Sequence, residues 1–487
     1  MKLKIYFLFL LLYPFISFGQ FDLIKGDLYS DISSFIVHKD KLYFSARSSD
    51  EEYSQIWVFD STEPISSINP KILVNLNRTN SSPNGFINYN DKLFFNANDK
   101  LYSYDSNSPT SNDNPKVLGN SGNGFIVYND KLYYEEASEY PNSWMWVYDD
   151  NQEVSSSNPK KLINDPKINT TSLDFRFKNI VYNDKLYYCG SNLNDRNYEL
   201  YVYDSKYPIT NTNPKKINEI NPKEKPSTPT DFVIFKDRLF FTADDGTGEE
   251  LFEYNEMNDP KKVYDINPSA YGGRPQYKTV YNDDLYFSGT DQTHGIELWK
   301  YSGTSIPTLA IDINPNKESS LPTNLKVYSN KLFFIADDGV HGYELSMYDY
   351  NTPFSNTNPK VYDLYIGKES GLNPNNDFIE YNGDIYFSGK SEPFVYSLNR
   401  IKSKFLNVKD IKVSNLTEVY PNPTNKNINI NSNYKIDKIE IYNFTGQLIN
   451  QYFPEKNNYS IDFQQKGTYL ISIVTNNELV TKKIIVK

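Results

Sequence analysis

Apolar and polar residues alternate in short runs along most of this chain, with no stretch at helical spacing. Val280–Thr304, VYNDDLYFSGTDQTHGIELWKYSGT, shows the pattern most clearly. Leu285, Tyr286 and Phe287 are strand formers, and Asn282-Asp283 before them is turn chemistry. Ile296, Leu298 and Tyr301 form a second apolar run around Trp299. Gly295 just ahead of it is read as supplying the positive φ that a hairpin loop often requires. One such hairpin leaves open edges and one apolar face, so it needs copies of itself to be stable.

The copies are present. The Leu285 position recurs as Leu42, Leu93, Leu132, Leu186, Leu239, Leu332 and Ile385, in KDKLYF, NDKLFF, NDKLYY, NDKLYY, KDRLFF, SNKLFF and NGDIYF. Successive spacings are 51, 39, 54, 53, 46, 47 and 53 residues. A period near 50 fits a four-stranded propeller blade and excludes the much shorter rungs of a β-helix. In the seventh copy the expected strands are Asn324–Tyr328, Leu332–Ala336, Glu344–Tyr348 and Pro359–Tyr365. The last element repeats as PK-initiated segments from Pro70, Pro115, Pro159, Pro214 and Pro260. Proline is tolerated as the first residue of a strand, and the following lysine suits an outer edge.

The eighth copy has a third strand at Phe394–Leu398 but no PK-type strand before Arg400. Phe21–Leu28 resembles the missing element, which predicts that the N-terminal strand completes the last blade; Phe405–Val413 is the rival donor. The expected fold is all-β: a β-propeller over residues 20–400, with eight blades favoured and seven open because of the 39-residue step. A connector over 401–416 leads to a small Ig-like β-sandwich over 417–487.

Composition adds limits. Forty-two tyrosines and 30 phenylalanines against four methionines accord with an all-β chain, and a net charge of −11 without a basic patch argues against nucleic acid as a partner. A single cysteine, Cys189, allows no intramolecular disulfide and reads as a buried, inert thiol. Residues 1–19 read as a secretory signal peptide: Lys2 and Lys4, an apolar run from Ile5 to Phe18 broken by Pro14, then small residues. No transmembrane segment is expected in the mature chain.

Two stretches resemble known families. THGIELWKYSGT at Thr293–Thr304 is similar to the ELWxxDGT repeat of exported bacterial proteins, with Ser302 in place of its Asp; LFFTADDGTGEELF from Leu239 and LFFIADDGVHGYELS from Leu332 share it. That resemblance implies a propeller-like fold and no defined activity. The tail Glu418–Lys487 resembles the type A C-terminal sorting domain of type IX secretion substrates. It does so through Tyr420-Pro421-Asn422-Pro423, Ile441-Tyr442-Asn443, Gly446, Gly467-Thr468-Tyr469 and the terminal Lys482-Lys483-Ile484-Ile485-Val486-Lys487. The resemblance implies the type IX machinery as a partner, and passage through the periplasm to the outer surface or medium of a Gram-negative bacterium.

Candidate chemistry is sparse. His294 and His341 occupy one repeat position and so shape loops rather than form one centre; His38 stands apart. No HExxH or GxSxG motif occurs, and no catalytic residue is assigned. No cofactor is assigned either. Asp244-Asp245-Gly246 and Asp337-Asp338-Gly339 offer oxygen ligands that calcium could use, but hairpin-turn formation is the preferred reading. Tyr43, Tyr133, Tyr187 and Tyr286 recur with the repeat and are read as packing between blades. Tyr140, Trp144 and Tyr271 lie outside it and are freer to bind. The expected function is a surface or secreted binding or adhesion protein whose partner is a carbohydrate or a surface protein. The alternatives are a secreted carbohydrate-active enzyme and a purely structural surface protein.

Overall fold

The computed structural model describes residues 21–28, 32–48, 51–74, 82–136, 144–162, 179–191, 417–443, 448–475 and 479–487. It also describes 197–402 apart from 211, 223, 224, 316, 353, 354, 356, 357, 366, 393 and 394. Residues 1–19 and most of the 401–416 connector, with the rival strand donor, fall outside this set. Among the described residues every regular element is a β-strand, and no helix is long and apolar enough to cross a membrane. The chain divides into two compact units, Met1–Lys402 and Ser403–Lys487.

The first unit contains eight four-stranded antiparallel sheets. The first comprises Ser33–His38, Lys41–Ala46, Gln55–Phe59 and Lys71–Val74 in that order, and the next six repeat the plan. The eighth takes Phe378–Tyr381, Asp384–Glu392 and Val395–Ile401 from the chain end and Phe21–Leu28 from its start; Phe21 lies opposite Ile401. The 39-residue step is a complete four-stranded sheet as well. Its second and third strands, Lys92–Ala97 and Lys100–Tyr104, are joined by the two-residue turn Asn98-Asp99 in place of a long loop.

Local chemistry sets each hairpin. The first and second strands are linked by two residues that both have positive φ, from Lys39-Asp40 through Asn282-Asp283 to Asn382-Gly383. This is the type I′ geometry that matches strand twist, and Asn and Asp tolerate it. Six of the first strands also carry a bulge, at Ser34, Gly85, Gly124, Asp231, Tyr277 and Asn324, each with positive φ where the register shifts. Only two of the six are glycine, so the bulge has no single sequence mark.

Two expectations about local geometry are corrected. The fourth strand begins at the lysine, one residue after the expected proline, and the Asn–Pro peptide before it is cis at Pro70, Pro115, Pro159, Pro214 and Pro359. Gly295 is not needed for positive φ, which it lacks. A Cβ there would stand 1.8 Å from the Glu318 carbonyl oxygen, so close backbone approach excludes any side chain.

The core lies between sheets. All seven repeat leucines and Ile385 are fully buried. Tyr43, Tyr133, Tyr187 and Tyr286 each join a cluster shared by two successive sheets, the role expected of them. Tyr381, Tyr386 and Leu398 of the eighth sheet pack with Phe44 and Phe59 of the first. Tyrosines ending four of the first strands tie their junctions again. Tyr89, Tyr128, Tyr182 and Tyr381 donate to the main-chain oxygens of Asp130, Asp184, Asp237 and Asp40 at 2.7–2.8 Å.

The second unit is organised around one 17-residue strand, Asn427–Asn443. Its first half pairs with Thr417–Tyr420 and Lys456–Asp462, its second with Gly467–Thr475 and Leu448–Tyr452. Ile428, Ile430, Ile436, Ile439, Ile441, Ile471, Ile473 and Ile484 fill the core between them.

Candidate functional site

The loops between third and fourth strands build one end of the first unit. In five sheets they follow one pattern: an Asp opening the loop and, nine residues later, an Asn before the proline, buried in four of them and half-buried at Asn114. Asn69, Asn114, Asn158, Asn213 and Asn358 each accept from the main-chain N–H of that Asp at 2.9–3.0 Å. Each also donates back to the same residue's carbonyl at 2.8–3.0 Å. The amide thus imitates a peptide group and closes the loop, a device that hydrophobic patterning does not reveal. The loops reach back to the preceding sheet: Asp150 N–H donates to Tyr89, Ser205 N–H to Tyr128, and Tyr350 N–H to Tyr281.

In the fifth sheet this loop is shorter. Asn255 and Pro260 are five residues apart, against ten between Asp204 and Pro214. Between the fourth and fifth sheets lies an open cleft of about 550 Å³. Lys185, Tyr187, Val202 and Lys215 line it from the fourth sheet's strands, with Ile217 just after the last of them; Asp204, Tyr207, Thr210 and Thr212 line it from its loop, and Tyr254 and Glu256 from the fifth sheet. The Tyr207 side chain is exposed, with 64% of its residue surface accessible.

Glu256 is the electrostatic hinge of the cleft. It accepts from Lys185 at 2.9 Å, from Asn183 at 3.3 Å and from the Tyr187 hydroxyl. Burial works to raise its pKa, but these donors outweigh it and hold the carboxyl below its ordinary value. The hydrogen bond to Glu256 raises Lys185 in turn. The same lysine position pairs with its own sheet's loop Asp in Lys41–Asp60 and Lys131–Asp149, at 3.2 and 3.0 Å. Lys185 turns instead to the next sheet, as Lys92 does toward Asp150.

A second set of carboxylates is structural. Glu250, Glu297 and Glu344, at the Glu of the ELW-like segments, are fully buried. Each accepts main-chain N–H groups from the segment leading to the next sheet: Ile266, Asn267 and Gly273; Ile313 and Ser320; Leu364 and Gly371. Burial raises them to about 7, 6 and 8 respectively, with the N–H donors opposing.

The residues singled out from sequence scatter rather than converge. Asp291 and Asp338 cap their own loops and pair with His294 and His341 at 2.9 and 2.7 Å, so those histidines are loop-shaping. His38 is buried between Asn88 and Ser106. Asp244 accepts from Gly246 and Gly248, and Asp245 from Thr247, which is turn duty. Among the described residues no three His, Cys, Asp or Glu side chains are grouped to hold a metal ion. Cys189 is buried, and burial pushes its thiol well up. Tyr271 is 79% exposed but does not line the cleft; Tyr140 lies outside the described residues, and Trp144 begins a strand opposite Glu136. Tyr207, which does line it, lies in a loop that repeats its Asp and Asn-Pro but not its tyrosine: the same position holds Glu63, Ser108, Gln152 and Thr352.

In the second unit two sorting motifs 63 residues apart meet. Asn422 Oδ1 accepts from Ile485 N–H at 3.0 Å; Thr424 N–H donates to the Ile485 carbonyl at 2.9 Å, and Lys487 N–H to the Thr424 carbonyl at 2.8 Å. Tyr420-Pro421 and Asn422-Pro423 are both cis. Gly467 opens a strand opposite Val486, and Tyr469 packs on Phe463 at 4.7 Å between ring centroids. Lys482 and Lys483 lie on the last strand opposite Ile471 and Leu470. Gly446 falls outside the described residues.

Residues 418–487 match the secretion system C-terminal sorting domain family. That tail directs the protein across the outer membrane through the type IX machinery, to the outer cell surface or the medium of a Gram-negative bacterium of the Bacteroidetes. No curated protein matches the chain. Among solved structures it is similar to a prolyl endopeptidase, at 12% identity and a TM-score of 0.45 over 75% of this chain and 56% of that one. It is also similar to the extracellular domain of a hybrid two-component system of B. thetaiotaomicron, at 10% identity and 0.40 over 94% and 68%. PorZ, a surface component of the type IX secretion system of Porphyromonas gingivalis, is similar at 11% identity and 0.28 over 95% and 81%. The chain spans little more than half the length of the peptidase.

Proposed function

We propose that this is an exported eight-bladed β-propeller, built from ELWxxDGT-like repeats, that binds a carbohydrate or a surface protein outside the cell. A signal peptide over residues 1–19 takes it to the periplasm, and an Ig-like sorting domain takes it onward. The observation that carries the binding role is the open cleft, lined by charged and aromatic side chains, beside the exposed Tyr207. A volume of about 550 Å³ falls inside the range of small-molecule sites, about 300–1,000 Å³. Closure of the propeller is supported by contacts at successive junctions, including that from the eighth sheet to the first. Binding is preferred to catalysis because Asp244, Asp245, Asp291 and Asp338 are engaged in turns, Glu250, Glu297 and Glu344 hold main-chain N–H groups, and Glu256 is in an ion pair. A glycan and surface-protein array probed with the full-length protein, with and without calcium, tests this. Specific capture supports the reading; silence on both arms rejects it in favour of a structural surface protein.

A further inference from the structure

We propose that the cleft between the fourth and fifth sheets takes a neutral hexose unit of a saccharide, with the Tyr207 ring against the sugar's apolar face. This rests on the binding role proposed above and names its ligand.

Two departures from the repeat combine at this junction. The fifth sheet's loop is five residues shorter than those of the first four sheets, which uncovers the face of the fourth. Lys185 has left the loop Asp that Lys41 and Lys131 pair with, so the Asp204 carboxylate lines the cleft without that lysine. At the next junction the sixth sheet's loop is also short, with Ser302 and Pro307 five residues apart. There the Arg238 guanidinium occupies the equivalent place, donating to the Gly303 carbonyl at 2.9 Å and lying 5.1 Å over the Phe240 ring.

The lining fits a hexose. It carries two cations, Lys185 and Lys215, and two carboxylates, Asp204 and Glu256, so formal charge cancels and neither an anionic nor a cationic ligand is favoured. Sugar hydroxyls both donate and accept, which suits mixed ammonium, carboxylate and threonine groups. The carbon face of a pyranose suits an exposed tyrosine ring with a wet polar edge.

The test is calorimetric titration of the purified full-length protein with cellotetraose, mannotetraose, galactotetraose and tetragalacturonate. At least one neutral saccharide is expected to bind. Tyr207→Ala should weaken it about tenfold, and Tyr207→Phe, which keeps the ring, by less than about twofold. Tetragalacturonate should bind no better than galactotetraose. Neutral-saccharide binding untouched by Tyr207→Ala overturns the site while the binding role stands. A preference for the uronate overturns the neutral assignment. Binding of none of the four overturns the inference, and array capture of a surface protein would then show that the wider role survives it.

Discussion

The Tyr381 hydroxyl donates to the Asp40 main-chain oxygen at 2.7 Å, joining residues 341 positions apart, and accepts from Ser61 N–H at 3.1 Å. Tyr128 makes the same two bonds, to the Asp184 oxygen and from Ser205 N–H, between sheets that are consecutive in sequence. One contact closes a long-range junction and the other a local one.

Tyr381→Phe strips both bonds from the junction of last and first sheets. It should destabilise by about 1–2 kcal/mol, because it leaves a part-buried donor and acceptor without their partner. Tyr128→Phe should cost a similar amount. Urea unfolding of both variants is the measurement. A loss confined to Tyr128→Phe would mean that the eighth and first sheets do not hold each other.

The loop clasp gives a second expectation. Asn158→Ala removes the acceptor of Asp149 N–H and the donor to its carbonyl, and should cost about 2–3 kcal/mol. The loop over 149–159 should become cleavable by protease in the folded protein while the sheets persist. Unchanged urea and proteolysis profiles would show that the amide does not close the loop.

Acidity should stabilise the first unit across the neutral range. Glu250, Glu297 and Glu344 are raised above the ordinary carboxyl value, chiefly by burial, to about 7, 6 and 8. The folded state therefore binds protons more tightly than the unfolded state. The stability they contribute is fullest below the unfolded carboxyl value and is lost as pH rises through the folded ones. His294, raised by its hydrogen bond to Asp291, acts in the same sense. The urea midpoint should fall between about pH 5.5 and about pH 8.5. Glu344→Gln cannot ionise and should flatten the upper part of the fall. A midpoint that climbs through this window contradicts the assignment.

The sorting unit offers a fourth test. Asn422→Ala removes the side-chain tie to Ile485 and should cost about 1 kcal/mol or more in that unit. Less protein should reach the cell surface. Ending the chain at Ser414 should abolish surface delivery and leave the first unit folded in the periplasm. Normal surface levels of the truncated protein would contradict delivery by the tail.

The repeat was readable because burial enforces it: a leucine or isoleucine at 42, 93, 132, 186, 239, 285, 332 and 385 is fully enclosed in every copy. The N-terminal strand was readable because the eighth copy lacked one. The Asn of each clasp and the Glu of each ELW-like segment recur in the sequence, but the contacts they make do not show in it, and the bulges share no common residue. The cleft was the least legible feature. It follows from a five-residue difference in loop length and from which of two carboxylates Lys185 selects.

The eighth sheet draws strands from both ends of the first unit, and this sets an order of events. A chain threaded N-terminus first carries Phe21–Leu28 without its partner until Val395–Ile401 has been made. The sorting unit lies beyond that strand in sequence, so the export signal is made after the sheet can close. A product that stops before Val395 lacks its closing strand and its exit signal together, and such unfinished copies are expected to stay off the surface.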